Sequence, residues 1–168
     1  MSGTQKKVIV RRFTGPLTWG YLPSGGFTRD GQTELMEIDG RSKLLLMNEI
    51  KWIAYVRDFN NDDPIEPERL VRRSFSGRPR GDGLWLRLSF LDGDTLEGLA
   101  AVEMEFIDGL AEDRGIFLTP PDGRSNAMRM FVPRSALRNL SVLGYITAPS
   151  KRTSRKASDP SQADLFEA

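Results

Sequence analysis

The chain contains no cysteine and no histidine. The first absence excludes disulfides, thiolate nucleophiles and thiolate metal sites, and it suits a reducing compartment. The second removes the side chain most often used as a general base or metal ligand near neutral pH. Catalysis would have to rest on carboxylates, lysines or hydroxyls. No segment approaches the ~20 consecutive apolar residues of a membrane helix, and the start MSGTQKKVIVRRF lacks a signal-peptide apolar run. These features predict a soluble cytoplasmic protein without membrane association. Motifs for enzymatic chemistry are also missing: no DxDxDG loop, GxSxG elbow or phosphate-cradling glycine loop occurs. The expectation is a non-enzyme with no catalytic residues, no metal ligands and no cofactor.

What is present is a recurrence. IDGRSKLLLMNEIKWIAYV (38–56) is echoed by PDGRSNAMRMFVPRSALRNLSVL (121–143). Each copy opens on DGRS, enters an apolar strand, breaks at a polar turn and ends in an alternating strand. A second landmark agrees: FTGPLTWG (13–20) aligns with FLDGDTLEG (90–98) with one residue inserted. Period-two alternation and β-branched residues predict strands over 6–13, 17–22, 33–38, 42–47 and 50–56. The second set falls at 84–90, 95–101, 115–119, 127–132 and 137–143. A helix over 43–56 has some support from Leu44, Met47 and Lys51, but the corresponding segment of the second copy contains Pro133, which would interrupt one. The stretch VEMEFIDGLAEDR (102–114) has no counterpart in the first copy.

The expected fold is all-β: two tandem five-stranded small β-barrels, at 5–60 and 83–145, joined by a charged linker at 61–82. A disordered tail follows at 146–168, on the basis of its Lys, Arg, Ser and Pro content. A lone unit of that size has a marginal core, so the barrels are expected to pack or pair edge to edge, with homo-oligomers through edge strands as a further option. Asp39-Gly40 and Asp122-Gly123 read as hairpin turns, the aspartates capping backbone N–H groups. Asp92, Asp94 and Glu97 cluster at another hairpin, where carboxylates can do acid–base work or hold a cation but more often cap turns.

Charge is unevenly spread although the net is +1. Residues 61–68 carry four acids and no base; residues 69–81 carry Arg69, Arg72, Arg73, Arg78 and Arg80 and no acid. With Phe75 among them, these arginines offer phosphate contacts and base stacking.

Three resemblances bear on function. Asn48-Glu49-Ile50-Lys51-Trp52-Ile53 and Ser135-Ala136-Leu137-Arg138-Asn139-Leu140 follow the pattern of the last strand in Sm-like and SH3-like barrels, and Sm-like proteins commonly bind RNA. Arg69-Leu-Val-Arg-Arg73 and Asn139-Leu-Ser141-Val-Leu-Gly144 are similar to the two elements with which PilZ domains bind cyclic di-GMP, although here they are much farther apart. Over about 6–145, the FLDGDTLEG hairpin, the DGRSN turn and the FVPRSAL ending resemble a bacterial family of duplicated small β units, some of them associated with PilZ domains. That family implies a fold and a bacterial origin and no activity.

The tail carries the most specific signal. Gln162-Ala163-Asp164-Leu165-Phe166 is similar to the pentapeptide by which bacterial replication and repair proteins dock on the DNA polymerase sliding clamp. The resemblance makes Gln162 the polar anchor, Leu165 and Phe166 the apolar plugs, and Asp164 an acidic residue at a tolerant position. The leading expectation is therefore an adaptor that binds the clamp. Nucleic-acid binding through the linker arginines is the main alternative, and a PilZ-like response to cyclic di-GMP is the second.

Overall fold

A computed structural model describes residues 4–23, 28–70, 72–122 and 124–147. The first half of the chain forms β1 (Gln5–Arg12), β2 (Thr18–Pro23), β3 (Thr28–Arg29), β4 (Gln32–Glu37), β5 (Ser42–Leu46) and β6 (Ile50–Val56). The second half forms β7 (Gly83–Phe90), β8 (Thr95–Ala100), α1 (Met104–Ala111), β9 (Gly115–Leu118), β10 (Ala127–Pro133) and β11 (Leu137–Ile146). A single 3-10 turn precedes β6, at Met47–Glu49, and another precedes β11, at Arg134–Ala136.

The all-β expectation holds at the level of class, and all ten strands foreseen from alternation are present. Segment 43–56 is strand, turn and strand. Two elements were not foreseen: the two-residue β3 and helix α1, which occupies the unmatched stretch after β8.

The strands do not close into two barrels. An eight-stranded sheet runs in the order β3-β4-β2-β1-β6-β10-β9, with β5 attached to β4. A three-stranded sheet runs β11-β7-β8. The long sheet is continuous across the two halves because β6 pairs antiparallel with β10, Ile53 opposite Phe131 and Ala54 opposite Met130. The first half thus finds its edge partner in the second. Strands β8 and β9 are joined by an isolated bridge, Leu99 with Thr119, rather than by a ladder.

Burial explains why the central strands read as nearly unbroken apolar runs. Val8, Ile9 and Val10 on β1 are all inaccessible to solvent. Ile9 joins a large cluster with Trp52, Ala54, Leu86, Leu88, Phe90, Met130 and Val132, whereas Val8 and Val10 join a smaller one with Leu35, Leu45, Ile53 and Phe131. The long sheet therefore carries a core on each face: the three-stranded sheet covers one, β4 and β5 the other. Each cluster draws on both halves of the chain.

Residues 57–82 are a strap rather than a free linker. Leu70 is buried in the large cluster. Phe59 is buried and meets Tyr21 edge to face at 5.4 Å, while the Trp19 indole N–H donates to its carbonyl at 3.1 Å. Backbone bonds hold the strap further on: the Glu97 N–H donates to the Arg73 carbonyl at 2.7 Å, and the Ala127 N–H to the Glu68 carbonyl at 3.2 Å.

Helix α1 lies beside β9. Gly109 is buried there, and a Cβ at that position would stand 2.2 Å from the Gly115 carbonyl oxygen. Only glycine permits so close an approach. Phe106 packs half-buried against the large cluster.

Candidate functional site

The most concentrated polar chemistry lies where the strap crosses the junction of the two sheets. β6 places Lys51 there, buried, and the β7–β8 hairpin brings Asp92 and Asp94 to it. The Lys51 ammonium donates to Asp92 Oδ2 at 2.6 Å and to Asp94 Oδ2 at 2.5 Å. Arg73, from the strap, donates to the same Asp94 oxygen at 2.9 Å. The aromatic floor beneath is Trp52 and Phe90: the ammonium stands 4.9 Å and 5.3 Å from their ring centroids. An ammonium loses most of its hydration at such a place, and carboxylates plus ring faces replace it.

Beside this cluster, Glu97 is also buried. It accepts from the Phe75 backbone N–H at 2.9 Å, the Trp85 indole N–H at 3.2 Å and the Arg87 guanidinium at 3.0 Å. Arg11, 5.7 Å from the Trp52 ring centroid, donates to buried Glu68 at 2.6 Å and to the Ile65 carbonyl at 2.9 Å. The strap is thus fixed to β1 by one ion pair and to β8 by another group of hydrogen bonds.

The hydrogen bonds set the carboxyl acidities. Donation from Lys51, then from Arg73, holds Asp94 below its ordinary value. For Glu97 the largest influence is burial, which raises the value, but the bonds from the Phe75 N–H, Arg87 and Trp85 together outweigh it, so the group is lowered. Tyr55, on β6, is pushed up to about 12, mainly by burial; Arg129 opposes this and Glu105 adds to it. Asp94 and Glu97 are thus held as ion-paired acceptors, which is a structural role. No group of three or more acidic side chains able to hold a metal ion occurs among the described residues.

The turn aspartates act as caps. Asp39 accepts from the Arg41 N–H at 3.0 Å, Asp92 from the Asp94 N–H at 3.1 Å and Asp122 from the Arg124 N–H at 3.0 Å. Gly40 and Gly93 have φ of 85° and 91°, the left-handed conformation such turns require.

The arginines expected to contact nucleic acid sit in different surroundings. Arg73 is spent in the junction network, with Glu66 also at 4.0 Å. Phe75 is half-buried, edge to face with Trp85 at 6.2 Å. Arg72, Arg78 and Arg80 are exposed. Arg69, with a left-handed φ of 46°, lines an open groove in which Arg57 and Arg124 stand with Asp58, Asp62 and Asp122. Neither Arg69 nor Arg124 forms an ion pair with a described residue. Arg124 was met from sequence only as part of the recurrent DGRS turn, and Arg57 was not singled out. Nor was Lys51, whose strand reads as ordinary alternation until its pairing with Asp92 and Asp94 is seen.

The two PilZ-like elements fall in different places. Asn139, Ser141 and Gly144 lie on β11, paired with β7, and the Asn139 amide donates to the Ser141 hydroxyl at 3.3 Å. None of the three lines the groove that holds Arg69. The clamp-like residues Gln162, Asp164, Leu165 and Phe166 lie outside the described residues.

Together these features define a β-sheet protein whose two sheets are tied by a charged strap, with its densest charge cluster serving the fold. The chain belongs to a family of unknown function, DUF6982, which it matches over residues 4–144. No curated protein and no solved structure matches it. No helix among the described residues is long and apolar enough to cross a membrane.

Proposed function

We propose that the protein is a non-enzymatic adaptor that docks on the DNA polymerase sliding clamp through Gln162, Asp164, Leu165 and Phe166. The observation that carries this reading is the pentapeptide QADLF placed beyond the body of the protein: the family match ends at 144 and the last strand at Ile146, so residues 147–161 separate it from the sheets. A short peptide of this kind needs few contacts. Leu165 and Phe166 each contribute ~1.5–3 kcal/mol if fully buried in an apolar pocket, less the cost of ordering the segment. Engagement of Asp92, Asp94 and Glu97 as acceptors of fixed donors supports the non-enzymatic part of the reading.

The body is read as two copies of one Sm-like or SH3-like chain path. In each half the last strand follows a single 3-10 turn and returns to pair with the first: β6 with β1, β11 with β7.

Titration of the full chain and of a labelled 155–168 peptide against purified bacterial clamp tests the docking. Binding in the micromolar range, abolished by Leu165→Ala with Phe166→Ala, is expected. No binding at tens of micromolar, or equal binding by the double variant, overturns it.

A second reading is favoured by the groove of Arg57, Arg69 and Arg124, namely phosphate contacts to RNA or DNA. It predicts salt-dependent binding that is lost when the groove arginines Arg57, Arg69 and Arg124 are changed to alanine together with the exposed Arg72, Arg78 and Arg80. Arg73 is left in place there because its loss would disturb the junction. A PilZ-like role keeps Arg69 but has no shared groove with Asn139, Ser141 and Gly144.

A further inference from the structure

Helix α1 exposes an apolar stripe. Met104, Ile107 and Leu110 recur every three residues along one side and are 69%, 49% and 38% exposed, and Val102 just before them is 52% exposed. The other side is spent on Phe106 and Gly109. Acids flank the stripe. Residues 103–113 carry five of them and no base. Glu112 pairs with Arg114 at 2.8 Å and Asp113 with Arg134 at 3.7 Å, but Glu103, Glu105 and Asp108 form no ion pair with a described residue. An apolar, acidic helix face of this kind fits a partner that is basic and ends in apolar side chains.

The chain carries such a segment itself. Residues 151–156 read KRTSRK, four bases and no acid, and Leu165-Phe166 follow after a stretch whose acids are Asp159 and Asp164. The point of exit suits it. Tyr145 at the end of β11 pairs with Leu84, and Leu84 pairs with Ala100 at the end of β8. Strands β8 and β11 therefore finish at the same end of the three-stranded sheet, two strand spacings or ~10 Å apart, and α1 begins four residues after Ala100. Four residues, 147–150, can span up to ~13 Å when extended, a reach long enough to cover the distance to the acidic start of the helix.

We propose that the C-terminal segment docks on this face of α1, with Lys151, Arg152, Arg155 and Lys156 against Glu103, Glu105 and Asp108, and Leu165 and Phe166 on Met104, Ile107 and Leu110. The contact is intramolecular, so its effective concentration is in the millimolar range set by the short connection, and weak contacts suffice. Its consequence, which rests on the clamp reading, is autoinhibition: the same two apolar side chains fill either the α1 stripe or the clamp pocket, and clamp binding must first release them.

The absence of native cysteine allows a direct test on the full chain. Ala168→Cys carries a single nitroxide label, and paramagnetic broadening of amide resonances reports what the tail approaches. Broadening concentrated on residues 102–110 is expected. It should fall severalfold with Ile107→Ser, an exposed position whose change leaves the fold intact, and also when the four basic residues are changed to serine or salt is raised to about 0.5 M. Broadening that is absent, spread evenly over the surface, or unaffected by Ile107→Ser overturns the docking. Clamp titration is the second arm. Ile107→Ser should tighten clamp binding by the full chain severalfold and leave the isolated 155–168 peptide unchanged; equal binding with and without Ile107→Ser overturns the autoinhibition. Localised broadening with no clamp binding by any form retains the docking on α1 and removes the clamp reading instead.

Discussion

At the scale of single residues, the charges of the junction act through partners far away in sequence. Asp94 and Glu97 are lowered by donors that exist only when the strap and the sheets are assembled: Lys51, Arg73, Arg87, Trp85 and the Phe75 N–H. In the unfolded chain these carboxyls return to about 3.9 and 4.3. A folded-state value below the unfolded one means that the unfolded state takes up protons first. The stabilisation is therefore complete above about pH 5 and is lost as the pH falls through the unfolded values toward the lowered folded ones. Urea midpoints measured from pH 7 to pH 2.5 should decline below about pH 5, and the decline should be shallower in Asp94→Asn and Glu97→Gln, whose pH 7 stability is already reduced. An acid limb of unchanged steepness in both variants would show that other carboxyls govern it. Because Asp94 is nearly half exposed, its share is the smaller of the two.

At the scale of elements, the strap is where charge and burial compete. By composition residues 58–83 look like linker, with Pro64 and Pro67 and a dense run of charge. Yet Leu70 is 4% exposed within the large cluster, and Arg11 closes an ion pair on Glu68 at its base. Leu70→Ala should cost about 2–4 kcal/mol of unfolding free energy, read from urea denaturation; a free linker would lose no more than about 0.5 kcal/mol. The strands were legible because alternation and β-branching depend only on neighbours in sequence: IKWIAYV and LWLRLSF announce β6 and β7 on their own. In the strap, Leu70 and Phe75 stand out as apolar residues within a charged run, so partial anchoring was legible; the partners of Glu68 and Arg69 were not, because they lie on β1 and in the turn before β10. Helix α1 was missed for a related reason: its apolar residues Met104, Ile107 and Leu110 point to solvent, and what seats it is the contact of Gly109 with Gly115. The tail motif was legible as sequence for the opposite reason, since a linear peptide needs no surrounding fold to be recognised.

At the scale of the whole molecule, the recurrence in sequence and the wiring in space point in different directions. Two similar half-chains suggest two closed units, each with its own small core, that pack or pair at their edges. The structure instead runs one sheet through both, with β6 against β10, and mixes the cores: Ile9, Trp52, Ala54 and Val56 from the first half sit with Leu86, Leu88 and Phe90, while Phe131 from the second sits with Val8 and Leu35. Cutting the chain in the strap would expose the paired edges of both strands and open both clusters at once, and half-chains of this length bury too little surface to compensate. Unfolding should therefore be a single transition. Calorimetric and van't Hoff enthalpies should agree within error, and fluorescence of Trp19 and Trp85, one in each half, should report the same midpoint. Substitution in one half should move both signals together: Ile53→Ala, on the strand that carries the joint, should lower the Trp85 midpoint as much as that of Trp19. Two separable transitions, with Ile53→Ala shifting only the first, would mean that the β6–β10 pairing joins two self-sufficient units rather than completing one.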